Sequence, residues 1–167
     1  QGHAVGLRRP TRADAVPLTL ADRLELTDLV HRYAAAVDDR RFDDVIELFT
    51  TTAELIVPDP PRTLEAVTAL HGHDGVRAAM AALSGVARTQ HEIVGEVYSA
   101  APDHALGRIT CVAHHWTRGT NPAEITDLVW HLRYDDEYQP TPAGWRIRRR
   151  ALTLNAIETR LGRRLRD

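Results

Sequence analysis

The chain lacks lysine, has a single cysteine and contains no apolar segment of the ~20 residues that a membrane-spanning helix needs. All 21 of its basic residues are arginine. Schiff-base chemistry, a pyridoxal site and a Walker A phosphate loop require lysine, so these classes of site are excluded. The one cysteine, Cys111, excludes an intrachain disulfide and a four-cysteine zinc site, and it favours a reducing cytoplasm as the compartment.

The rest of the composition is typical of one soluble domain. The 167 residues are 43% hydrophobic and 26% charged, which is enough apolar sequence for a buried core. The net charge of −2 gives no reason to expect nucleic acid or a membrane as partner. Residues 1–17 show neither periodicity nor the apolar centre of a secretory signal, so we expect a flexible tail there.

Helical periodicity follows this tail. Apolar residues recur at spacings of three and four, and Thr19 with Asp22 is typical of a helix start. The periodic residues are Leu26, Leu29, Val30, Tyr33 and Val37. Further along the chain the pattern predicts a helix over Phe42–Phe49, a strand over Ala53–Val57, an irregular loop over Pro61–Leu70 and a helix over Asp74–Leu83.

From Gln90 the period changes to two, which predicts antiparallel strands. The expected strands are His91–Ala100, Ala105–Thr117, Glu124–Tyr138 and Trp145–Leu154. Helices followed by strands predict an α+β fold in which a curved, mostly antiparallel sheet wraps around the N-terminal helices. We therefore expect one domain over residues 18–154, followed by a basic tail or short helix over residues 155–167.

Strand alternation separates the histidines. On Ala105–Thr117 one face is small and apolar and ends at His115, whereas His114 belongs to the other face. Cys111 shares the His115 face. His91 lies on the preceding strand, on a face with Ile93, Gly95 and Val97. A small apolar wall with imidazoles at its end is typical of a ligand pocket.

The strand after it has one apolar face, formed by Leu128, Trp130, Leu132 and Tyr134. His131 should point away from this face. We expect Trp130 and Leu132 to line the same pocket as Cys111. A carboxylate near a histidine would make an acid–base pair, and Asp38 and Asp39 at the end of the first helix are equal candidates by composition.

Three segments resemble one family. The run His31–Asp44 is similar to the first-helix motif of SnoaL-like proteins, which belong to the nuclear-transport-factor-like superfamily of α+β cone folds. Thr89–His91 and Gly144–Ile147 fit the same pattern, so the resemblance covers about residues 20–154. The branch it resembles most contains scytalone dehydratase, bile-acid dehydratases and hexachlorocyclohexane dehydrochlorinase.

The resemblance implies a catalytic set. An Asp–His dyad acts as base in that branch, and by motif its members fall on Asp38 and His91. The assisting residue of the central strand falls on His115, and a helix tyrosine of the bile-acid dehydratases falls on Tyr33. The steroid isomerases of the superfamily carry a catalytic aspartate where this chain has Val57, so their chemistry is not expected here and Val57 is a candidate substrate contact.

These observations predict a cofactor-independent lyase or isomerase, dehydratase-like, that acts on a hydrophobic polycyclic or polyketide-like molecule. One alternative is a non-catalytic module of the same fold that binds a small molecule or forms oligomers, and another is a polyketide cyclase. We expect no metal, because the pair His71 and His73 has no evident third ligand. An exposed outer sheet face that includes Trp116 leads us to expect a homodimer or homotrimer.

Overall fold

The structure is a computed structural model that describes residues 15–121 and 123–167. Most of the predicted N-terminal tail, residues 1–14, therefore lies outside the described residues. Helix α1 (Leu20–Asp38) is capped by Thr19, whose hydroxyl and backbone N–H exchange hydrogen bonds with Asp22 in a capping box. Its buried stripe contains Leu26, Leu29, Val30, Tyr33 and Val37, which confirms the predicted helix. No helix in the described part of the chain is long and apolar enough to cross a membrane.

Two further helices and six strands make up the rest of the domain in the described part of the chain. They are α2 (Phe42–Glu47), β1 (Phe49–Asp59), β2 (Thr63–His71), α3 (Gly72–Ala81), β3 (Arg88–Ala100), β4 (Ala105–Arg118), β5 (Ile125–Thr141) and β6 (Gly144–Gly162). A 3-10 turn, Ala82–Gly85, links α3 to β3. The strands form one curved sheet in the order β2-β1-β6-β5-β4-β3, with only the β1–β6 pair parallel among the described strands.

The fold is the predicted α+β cone, and its core lies between the concave face of the sheet and the helices. Tyr33, Ala113, Leu132 and Ile147 come from four different elements and belong to one buried apolar cluster. Alternation along β4 is regular, since every second residue from Ala105 to His115 is buried. This regularity directs one set of β4 side chains into the cone and the other set outward.

The structures predicted for two segments are wrong. Pro61–Leu70 is not an irregular loop, because Thr63–His71 forms β2 and pairs antiparallel with β1. Within the predicted tail, residues 155–162 are not a tail or helix, because β6 continues to Gly162 and pairs with the first half of β5, from Ile125↔Gly162 to His131↔Ala156. In both segments a long neighbouring strand supplies backbone partners that a local reading of the sequence does not reveal.

The face assigned to β3 also needs a correction. The register against β4 shifts between Ile93 and Gly95, so a β-bulge reverses the alternation after Ile93. Gly95, which pairs with the outward-facing Thr110, and the exposed Val97 therefore do not share the face of His91, while the Tyr98 ring packs edge-on against Tyr138.

Candidate active site

The end of α1 and the start of β3 meet at a His–Asp pair. The ring Nδ1 of His91 lies 2.7 Å from Oδ1 of Asp38, and the backbone N–H of His91 donates to Oδ2 of the same carboxylate at 2.8 Å. Because β3 is an edge strand, this N–H is not used by a neighbouring strand. The Thr89 hydroxyl donates to Oδ1 of Asp38 at 2.9 Å. The carboxylate is thus fixed by three hydrogen bonds from Thr89 and His91.

The other candidate carboxylate, Asp39, is the C-terminal cap residue of α1 and its side chain is 65% exposed. Asp38 is the one of the two that bonds to His91. Burial raises the pKa of Asp38, but the hydrogen bonds and charge of His91 and the bond from Thr89 outweigh it and hold the pKa below its usual value. The ionised Asp38 carboxylate can only accept a hydrogen bond, so Nδ1 of His91 carries the proton that it donates. In the neutral ring the lone pair is therefore on Nε2.

His115 lies on β4 opposite Thr89, diagonal to His91, and the two imidazole ring centres are 6.3 Å apart. Its Nδ1 is 2.9 Å from the carbonyl oxygen of Leu128, which can only accept, so Nδ1 is the protonated nitrogen. Burial lowers the pKa of His115 and the bond to Leu128 only partly opposes this. The ring is therefore a neutral imidazole with an unprotonated Nε2.

Both histidines line one cavity of about 340 Å³ inside the cone, within the ~300–1,000 Å³ usual for small-molecule sites. Most of its wall is aliphatic or aromatic. The wall includes Leu55, Pro58, Ala79, Met80, Ala82, Leu83, Val86, Leu128 and Leu152. His114, on the opposite face of β4, does not line this cavity, which agrees with the alternation expected from the sequence.

Tyr33 and Tyr134 are the phenols of the cavity wall. The guanidinium of Arg150 lies between them, 4.2 Å from the centre of the Tyr33 ring and 4.0 Å from that of Tyr134. Arg150 is fully buried and forms a two-pronged ion pair with Asp136, at 2.9 and 2.6 Å. Burial raises the pKa of Tyr33 despite the opposing effect of Arg150, so the phenol keeps its proton and is a hydrogen-bond donor.

Of the four candidate substrate contacts, three line the cavity and one does not. Val57, Trp130 and Leu132 belong to its wall. Cys111 is completely buried in the core and is not part of the wall, so its assignment is corrected. Burial raises the pKa of the Cys111 thiol to about 12, which leaves it an unreactive packing residue.

Sequence reasoning missed three residues that shape the site. Thr89 orients Asp38, and Arg150 supports the two phenols. Arg40 has a positive φ of 61° and donates from its guanidinium to the carbonyls of Leu83 and Val86, at 3.4 and 2.6 Å. Leu83 and Val86 are cavity-wall residues, so Arg40 ties this wall to the end of α1. The Thr89–His91 motif was the sequence signal available for Thr89.

No group of three or more histidine, cysteine, aspartate or glutamate side chains suited to a metal ion occurs within residues 15–121 and 123–167. Of the pair considered from the sequence, His73 contacts the carbonyl of Phe49 at 3.0 Å and His71 lies 3.8 Å from Glu54.

Comparisons with known proteins agree with this architecture. Residues 18–151 match the sequence model of the SnoaL-like domain. An uncharacterized protein of Mycobacterium tuberculosis is 30% identical over 139 residues, which cover 80% of this chain and 86% of that protein.

Solved structures show the same fold. A candidate scytalone dehydratase from Novosphingobium aromaticivorans has a TM-score of 0.69 at 16% identity, covering 83% of this chain and 87% of its own. A hexachlorocyclohexane dehydrochlorinase from Novosphingobium barchaimii has a TM-score of 0.69 at 14% identity, covering 89% and 96%. At these identities the likeness establishes the fold alone.

Proposed function

Because the chain belongs to the SnoaL-like domain family, we propose that it is a cofactor-independent, dehydratase-like lyase or isomerase. Its substrate is a hydrophobic polycyclic or polyketide-like small molecule. The observation that carries the proposal is the His91 imidazole, fixed through Nδ1 by Asp38 and placed in the wall of an apolar cavity. Two structural relatives, the candidate dehydratase and the dehydrochlorinase, bear names of elimination enzymes, which supports an elimination here.

The first step is removal of a proton next to a carbonyl group. His91 Nε2 takes the proton, the C–H electron pair moves toward the carbonyl, and an enolate-like oxygen develops. The Asp38 carboxylate stabilises the imidazolium that forms, and the apolar wall strengthens this attraction by excluding water. A positioned base of this kind contributes about 10²–10⁴ in rate.

The second step depends on which groups can donate a proton. Tyr33 keeps its phenolic proton, so it is suited to bind the developing oxygen or to protonate a departing hydroxyl. The neutral His115 ring presents an unprotonated nitrogen, so it accepts hydrogen bonds from the substrate before it can act as an acid. In a dehydration, the hydroxyl leaves with the C–O electron pair and the added proton, as water.

Proton abstraction can be tested without the natural substrate. We expect the protein to catalyse exchange of the α-protons of 2-tetralone, a neutral bicyclic ketone, in deuterium oxide, measured by proton NMR. His91→Ala and Asp38→Asn should lower the exchange rate by about 10²–10⁴. His114→Ala is the matched control, because His114 lies on the neighbouring strand β4 and on the opposite face of the sheet, and it should exchange at the wild-type rate. Equal rates in all four proteins would refute the dyad as base and favour a non-catalytic binding module.

A further inference from the structure

A second phenol of the cavity wall has no part in the mechanism above. Every second residue of β5 from Leu128 to Tyr134 lines the cavity, so Tyr134 points to the same side of the sheet as Trp130 and Leu132. Its ring meets the Tyr33 ring edge-on, with ring centres 6.0 Å apart and planes inclined by 77°. One phenol from the sheet and one from α1 therefore lie side by side in the cavity wall.

The Tyr134 hydroxyl is open to the cavity. Within residues 15–121 and 123–167, the buried side-chain atoms with neither accessible surface nor a hydrogen-bond partner are Thr50 Oγ1, Asp127 Oδ1, Trp130 Nε1 and Arg150 Nη1. The phenol oxygen of Tyr134 is not one of them, although it forms no hydrogen bond to the described residues. It therefore retains accessible surface. Because Tyr134 is only 2% exposed and lines the cavity, that surface faces the cavity.

The Tyr134 phenol is a neutral hydrogen-bond donor. Burial raises its pKa well above the usual value and the neighbouring Tyr33 adds to the rise, while the charge of Arg150 opposes it only in part. The hydroxyl therefore keeps its proton. A donor held in an apolar cavity binds an oxygen more strongly as that oxygen gains negative charge, because little water competes for it.

We propose that Tyr134 is a further catalytic residue, whose hydroxyl donates together with that of Tyr33 to the substrate carbonyl oxygen while His91 removes the neighbouring proton. The inference rests on the proposed function, because it takes this cavity as the substrate site. The α-proton moves to His91 Nε2, the C–H electron pair forms a C=C bond, and the C=O π pair becomes a lone pair on the oxygen. Both phenols keep their protons and stabilise the new charge. One such donor contributes about 10²–10³ in rate.

A ligand with an anionic oxygen tests this site apart from the chemistry. 4-Nitrophenol is largely ionised near pH 8 and its anion resembles an enolate, whereas 4-nitrotoluene has the same ring without the oxygen. Equilibrium dialysis measures both affinities. Tyr134→Phe keeps the aromatic ring and removes a hydroxyl that has no partner within residues 15–121 and 123–167, so the fold should be retained. Its affinity for 4-nitrophenolate should fall about tenfold or more while that for 4-nitrotoluene is unchanged.

Tyr98→Phe is the matched control, because the Tyr98 hydroxyl donates to Glu96 and its ring does not line the cavity. It should keep both wild-type affinities. In the exchange of 2-tetralone, Tyr134→Phe should lower kcat by about 10²–10³ and change KM less, since the hydrogen bond strengthens only as charge develops. A mere packing role for Tyr134 would leave kcat unchanged, because the ring remains.

An unchanged affinity for 4-nitrophenolate in Tyr134→Phe would overturn the proposal, as would a wild-type protein that does not bind this anion. An unchanged kcat in Tyr134→Phe, where the wild type exchanges 2-tetralone, would also overturn it. His91→Ala should lose exchange but bind 4-nitrophenolate within a few-fold of wild type. Failure of the dyad as base and failure of this oxygen site therefore give different results.

Discussion

The two faces of the sheet present the same pair of side chains in different surroundings. On the concave face, Nδ1 of His91 lies 2.7 Å from Asp38, and on the convex face Nδ1 of His114 lies 2.7 Å from Asp127. The surroundings of the two imidazole rings differ. His91 lines a cavity, whereas His114 stacks on a tryptophan and its Nε2 lies 3.5 Å from a Glu92 oxygen. A His–Asp contact alone is therefore no sign of catalysis; the second nitrogen must face space for a ligand.

Kinetics should separate the two pairs most strongly. We expect His91→Ala, Asp38→Asn and the double variant to lose activity to the same extent, about 10²–10⁴, because the two residues act as one base. His114→Ala and Asp127→Asn should stay within a few-fold of wild type. The measurement is the rate of α-proton exchange or of turnover of an identified substrate. Independent, multiplying losses at Asp38 and His91 would contradict a coupled dyad.

The losses of folding stability should have the opposite order, with the larger loss at the His114–Asp127 pair. His114→Ala leaves the buried Asp127 carboxylate without its His114 partner, and its Oδ1 already lacks one in the described residues. This should lower the free energy of unfolding by about 1–3 kcal/mol. His91→Ala should cost less, because Asp38 is 22% exposed and retains bonds from Thr89 and the backbone of residue 91. Urea unfolding of both variants checks this, and a larger loss for His91→Ala would refute it.

The difference between the faces was partly accessible from the sequence. Period-two alternation along β4 assigned His115 to the cavity side and His114 to the other, because β4 has no bulge in its pairing with β5. It failed on β3 beyond Ile93, where an inserted residue reverses the faces without a clear pattern in the sequence.

Contacts between distant segments were harder to predict from the sequence. Composition left Asp38 and Asp39 equivalent, and only the motif resemblance favoured Asp38. The fold distinguishes them because one helix residue faces the edge of β3 and the next faces solvent. Arg150 ends the basic run Arg148–Arg150, which gives no sign that one of the three is buried; it is buried because Asp136 on the neighbouring strand neutralises its charge. Such pairing depends on strand register, which is set by the whole sheet.

Beside the His91–Asp38 pair on the concave face, His115 should make folding stability depend on pH. Burial lowers the pKa of His115 in the fold from its ordinary 6.5, with His91 and His114 adding to the shift and Leu128 and Asp127 opposing it. Below that ordinary value the unfolded chain binds a proton that the fold does not, so stability falls as pH decreases, by at most about 1.4 kcal/mol per pH unit.

His115→Gln removes this titration. Between about pH 7.5 and 5.5 the variant should lose less free energy of unfolding than wild type, while the remaining histidines affect both proteins alike. Urea unfolding at the two pH values gives the comparison. Identical losses in the two proteins would show that His115 titrates normally in the fold.

The smallest expected effect concerns the cavity wall beside His91, which has no counterpart at His114. Arg40 follows Asp38 by two residues, and its guanidinium donates to the carbonyls of Leu83 and Val86. Arg40→Met should lower the free energy of unfolding by about 1 kcal/mol and speed hydrogen exchange at the Val86 amide, which itself donates to Leu83. Arg41→Met is the matched control, because its ion pairs with Asp39 and Asp44 are exposed and should contribute little to stability. If both variants exchange Val86 at the wild-type rate, the wall is held by its own packing and Arg40 has no part in shaping the cavity.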